Sequence, residues 1–168
     1  MPLNLAAKLV YMEYSIEYDK IMAIAEEEVS REAEQASSAD GVSLYDEIRM
    51  ISRDENKKKR MMSEVLVSVK AQCNRFLMRA DVSEESESEP LSFVFELDIT
   101  ERRSSGKGSS LQTMLRSMTV NMILSKFFRS KNLAELATKY DDLALSDVQA
   151  MAKLLYEKLP PVYPTIYE

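Results

Sequence analysis

Apolar and polar positions alternate most regularly near the middle of the chain. Leu91, Phe93, Phe95, Leu97 and Ile99 are separated by Ser92, Val94, Glu96, Asp98 and Thr100. A period of two predicts a strand with one apolar face laid on the rest of the fold. Val10, Met12, Tyr14 and Ile16 alternate with Tyr11, Glu13 and Ser15 in the same way. Leu5, Leu9, Met12 and Ile16 would also fit a helical stripe, but the β-branched and aromatic content favours a strand over about 8–14. Ser15 then stands where it can cap a following helix.

Elsewhere the period is helical. Ile21, Ala25, Val29 and Ala33 form one stripe, with Glu26, Glu27, Glu28 and Glu32 assigned to other faces. Ser37-Ser38-Ala39-Asp40-Gly41 reads as a loop, and a short helix is expected from Leu44 to Met50. Ser52 and Glu55 have the spacing of a capping box, opening a helix to about Met78 whose buried stripe is Met62, Val65, Val69, Cys73 and Phe76. Leu111, Met114, Leu115, Met118, Met122, Ile123, Phe127 and Phe128 predict a helix apolar around much of its circumference, hence central. Asn132 with Glu135 suggests another capping box, before a stripe of Leu136, Tyr140, Leu143, Val148, Met151, Leu155 and Leu159 that Pro160 and Pro161 end. The expected architecture is mainly α: a bundle of about four to five helices with a small two-stranded β element, about 8–14 and 91–102. Residues 1–159 form one domain with loops at 37–43, 81–90 and 102–110, and 160–168 form an extended Pro/Tyr tail.

Composition narrows the function classes. At 168 residues the chain suits one domain with one hydrophobic core. A formal charge of −6 argues against a dedicated nucleic-acid binder. The stretch from Asp81 to Glu89 carries five acids and reads as a solvated loop. The start Met1-Pro2-Leu3-Asn4-Leu5 lacks the basic and apolar regions of a signal peptide, and no run nears the roughly 20 apolar residues that span a bilayer. A soluble product of the cytoplasm is expected, with no membrane partner.

Candidate chemistry is sparse. With no histidine and one cysteine, the sequence offers neither a Cys-His pair nor a zinc constellation. Cys73 falls on an apolar stripe and is expected to be inert packing. The segment Ser104-Ser105-Gly106-Lys107-Gly108 lies between a strand and a helix, the setting of a phosphate loop. Glu101 stands where the first glycine of that motif belongs, and Gly108 stands where its magnesium-holding Ser or Thr belongs. Asp141 and Asp142 are neighbours about 100° apart on a helix and do not converge. Arg53 and Lys57 through Arg60 form a basic cluster, read as a solvated face or as contact with an acidic partner surface. No enzyme and no cofactor is expected.

Partner contacts are better indicated. A two-stranded element leaves at least one edge with free amides and carbonyls, and such edges are covered or recruit another chain. Candidate partner-binding residues are therefore Phe93, Phe95 and Leu97 of the strand, and Tyr163, Ile166 and Tyr167 of the tail, which docks either on its own bundle or on a neighbour.

The order of elements carries a resemblance. A strand and helix precede Ser43-Leu44-Tyr45-Asp46-Glu47-Ile48 and a helix opening at Asp54-Glu55. Then come Phe93-Val94-Phe95-Glu96-Leu97, an apolar helix ending Ser125-Lys126-Phe127-Phe128, and the close Leu155-Tyr156-Glu157-Lys158-Leu159-Pro160-Pro161. Over roughly residues 8–164 this resembles a family of small proteins of tailed phages and prophages of Bacteroides-type bacteria. By architecture it is similar to head–tail connector (adaptor) proteins. The resemblance implies a virion structural protein made in the host cytoplasm, an oligomeric ring of copies of itself that meets portal and tail proteins. On this reading Arg102, Arg103 and Lys107 face the portal or make non-specific contact with packaged DNA. A second reading, from another class, is a non-enzymatic cytoplasmic assembly factor or regulator acting through helical protein–protein contacts.

Overall fold

The computed structural model describes residues 9–40, 55–73, 77–82, 92–100 and 108–156, with side chains at 16–35, 55–73 and 110–154. In chain order these form β1 (Leu9–Glu17), α1 (Tyr18–Asp40), α2 (Glu55–Cys73), β2 (Leu77–Val82), β3 (Ser92–Thr100), α3 (Gly108–Ser130) and α4 (Ala134–Tyr156). The fold is mainly α, a bundle of four described helices carrying a small antiparallel sheet.

The expected central helix is α3. Leu111, Leu115, Met118, Ile123, Leu124 and Phe128 are all buried, and α1, α2 and α4 pack around it. Each neighbour meets it through a stripe at helical spacing. On α1 the buried line is Ile21, Ala25, Val29 and Ala33; on α2 it is Met62, Val65, Val69 and Cys73, widened by Leu66. On α4 the buried line is Ala137, Tyr140, Ala144 and Met151. Leu143, expected in that stripe, is exposed, because the line advances from Tyr140 by four residues to Ala144.

The strands pair as expected and gain a third member. β1 lies antiparallel to β3 from Leu9 opposite Thr100 to Glu17 opposite Ser92, and the sheet order is β1-β3-β2. β2 occupies Leu77–Val82, where the sequence suggested the end of a helix and the start of a loop. Leu77, Met78 and Ala80 are good helix formers, but the second side of β3 offers a row of unpaired backbone groups, and pairing there overrides local propensity. A register shift between Leu77 and Arg79 keeps Leu77, Ala80 and Val82 opposite Leu97, Phe95 and Phe93. Phe93 also stands opposite the buried Ile16, so alternation gives positions 93, 95 and 97 the same face of the sheet as Ile16.

Several boundaries differ from expectation. β1 runs on to Glu17 and passes directly into α1, so Ser15 is a strand residue opposite Val94 and does not stand at the start of the helix. Residues 37–40 belong to α1, and 108–110 belong to α3. Asn132 is not an N-cap. It takes φ 59° just beyond α3, with Asn132 N–H donating to Arg129 O at 3.1 Å and Leu133 N–H to Phe128 O at 3.0 Å. These two bonds form a Schellman motif, and Asn is the residue other than glycine that tolerates the left-handed position best. Leu133 O then accepts from Ala137 N–H at 3.0 Å, the first bond of α4. The expected helix at 44–50, Ser52 and the tail 160–168 lie outside the described residues.

Candidate functional site

The bundle's buried ionisable groups form ties between helices. Glu32 of α1, assigned with Glu26, Glu27 and Glu28 to faces other than the apolar stripe, is only 8% exposed. Its Oε1 accepts from the Tyr140 hydroxyl at 2.8 Å and from the Lys139 ammonium of α4. Burial by itself would push the Glu32 carboxyl up, but Lys139 and Tyr140 together outweigh it and hold the carboxyl below its ordinary value. Burial, reinforced by Glu32, raises the Tyr140 hydroxyl. The Tyr140 ring in turn stacks on Phe128, with centroids 5.6 Å apart.

A second tie joins α1 to α2. Lys58, within the basic cluster, is 7% exposed and ion-paired with Glu26, with Glu55 Oε1 at 3.4 Å. The Tyr18 hydroxyl donates to Glu55 Oε2 at 3.1 Å. Burial disfavours the Lys58 ammonium, but the two carboxylates outweigh it and raise its pKa above the ordinary lysine value. The rest of that cluster is more conventional: Arg60 is exposed and bonds Glu64 at 3.2 Å, and Glu64 also pairs with Lys126 of α3.

The seam between α3 and α4 is polar at its rim. Asn121 Nδ2 donates to Asp147 Oδ2 at 2.9 Å, Ser125 Oγ donates to Asp141 Oδ1 at 2.5 Å, and Arg129 pairs with Asp141. Asp141 is thus a structural acceptor, and Asp142 beside it is exposed. Cys73 is buried among apolar groups, which push its thiol up to about 12 and keep it protonated at neutral pH. No buried side-chain nitrogen or oxygen among the described residues lacks a hydrogen-bond partner.

One open groove of about 410 Å³ runs between α1, α3 and α4, with Ile24, Val120 and Leu143 beside Arg31, Arg116 and Tyr140. Arg31 is paired with Glu28 there, which leaves the groove only weakly cationic. Among the described residues no group of three or more acids or cysteines could hold a metal ion, and no helix is long and apolar enough to cross a membrane.

The sequence-derived partner residues do not gather in one place. Phe93, Phe95 and Leu97 lie on β3, whose backbone is paired on both sides. The edge expected at 91–100 is therefore not an edge; β1 and β2 are the outer strands. Arg102, Arg103, Lys107, Tyr163, Ile166 and Tyr167 lie outside the described residues. Sequence reasoning missed Glu32 and Lys58 as ties. The available signal was position: Glu32 adjoins Ala33 of the buried stripe, and Lys58 stands one turn before Met62. No protein-family model, curated protein or solved structure matches the chain.

Proposed function

We propose that the chain is a non-catalytic assembly subunit, a head–tail connector that joins a ring between portal and tail proteins of a phage particle. The observation that supports an assembly role is how the buried ionisable groups are used. Glu32, Tyr140, Lys58 and Tyr18 are each occupied in holding one helix against another. A bundle cross-tied in this way keeps its outer surfaces in fixed relation, which is what a ring subunit requires of its two flanks. The phage setting comes from the resemblance in element order, and with it the portal and tail partners and the proposal that Arg102, Arg103 and Lys107 face the portal or make non-specific contact with packaged DNA. Purified particles are the test. Mass spectrometry of virions should find this chain at a fixed multiple of the portal protein. Particles of full infectivity that lack it would sink the reading, and a cytoplasmic assembly factor would then be the better description.

A further inference from the structure

The register of the sheet sets three charged residues in one row: Arg79 of β2 opposite Glu96 of β3, and Glu96 opposite Glu13 of β1. All three positions are on the face opposite that of Ile16. The row is unbalanced. Its one basic position is on β2, and two acidic positions are directly opposite each other on β3 and β1, a pairing that destabilises a sheet. Among the described strands nothing pairs with the outer side of β1 or of β2.

We infer that β1 of one copy of this chain pairs with β2 of the next, so that the sheet continues head to tail from subunit to subunit. β1 and β2 are both antiparallel to β3, hence parallel to each other, and a copy added in the same orientation brings its β2 alongside β1 as a parallel neighbour. Arg79 of the added copy then falls beside Glu13, and the repeating row alternates one base with two acids. Glu13 gains the basic neighbour that Glu96 already has within the subunit. The two-fold alternative, β1 against β1, is disfavoured by the same charges: Leu9–Glu17 contains Glu13 and Glu17 and no lysine or arginine, so that seam would gather four acids. A heterologous contact of this kind closes into a ring when its rotation closes. In that respect the inference rests on the connector reading and supplies its interface.

The test uses purified full-length protein in sedimentation velocity at low salt. Wild type should associate beyond a dimer as concentration rises, and added salt should weaken the association. Glu13→Arg relieves the like-charge pair inside the subunit, so its melting temperature should hold or rise. The same substitution sets two guanidiniums against each other at the seam and should weaken association by about five- to tenfold per contact. The double swap Glu13→Arg with Arg79→Glu restores an opposite pair at the seam and should recover assembly. Association unchanged in Glu13→Arg, a two-fold dimer as the end point, or a wild type that stays monomeric to its solubility limit would each overturn the inference. Absence of the chain from particles would sink the connector reading and leave this seam intact, so the two fail separately.

Discussion

Glu32 and Lys58 are both charged, both nearly buried, and they differ in what their partners can do without them. Glu32 is the shared acceptor of Lys139 and Tyr140, and the Tyr140 hydroxyl is buried. Glu32→Ala should cost about 1–3 kcal/mol, because that hydroxyl loses its acceptor, whereas Glu32→Gln keeps an acceptor and should cost less. Lys58 is the buried member of its tie, and its partners Glu26 and Glu55 reach water. Lys58→Met should therefore stay within about 1 kcal/mol of wild type, since the departing ammonium takes its desolvation cost with it. The pH dependence follows from the direction of each shift. The Glu32 carboxyl is held below its ordinary value of 4.5, so its contribution is present above that value and is lost as pH falls through the lowered one. Lys58 is raised, so its contribution is present below the ordinary value of 10.5 and is lost as pH rises through the raised one. Urea unfolding across pH should show Glu32→Gln flattening the acid limb; an acid limb as steep as in wild type would contradict the assignment.

The connection between α3 and α4 shows what a sequence withholds about its elements. Between Ser130 and Ala134 there are three residues, and in that space one helix must end and another begin. Asn132 is a good residue for either task, and the spacing to Glu135 suggested that it opened α4. Its φ of 59° shows that it closes α3 instead. Asn132→Gly should raise stability by a few tenths of a kcal/mol to about 1, because glycine takes the left-handed position without a Cβ penalty. Asn132→Val should lower it by about 1–2 kcal/mol. Thermal melts of the pair give the signs, and equal melting temperatures would argue that the motif contributes nothing. Helical stripes were legible because each helix buries a face on α3, and period reports burial directly. β2 was not legible, since Leu77–Val82 becomes a strand only because β3 has a second side to fill. For the same reason Phe93, Phe95 and Leu97 were read as an edge: strand order belongs to the sheet and leaves no mark in the strand's own residues.

At the scale of the whole molecule, burial and charge ties make separable contributions, and α3 carries both. Phe128 is fully buried, stacked on Tyr140 and set edge-on to Phe127, and it also supplies the carbonyl that ends its own helix. Two residues earlier and on the rim, Lys126 of the same helix reaches Glu64 of α2 through solvent-exposed side chains. If the bundle stands on its apolar centre, truncating these two residues should give very different results. Phe128→Ala opens a cavity where α3 meets α4 and should cost about 3–5 kcal/mol. That is a large share of the roughly 5–15 kcal/mol that holds a domain together. Lys126→Ala removes a screened surface pair and should cost under about 1 kcal/mol, shrinking further as salt is added. Urea midpoints measured at low and high salt separate the two: the Phe128→Ala loss should persist in both, and the Lys126→Ala loss should fade. A comparable and salt-resistant loss in Lys126→Ala would mean that the charged rim, rather than the apolar centre, holds α2 against α3.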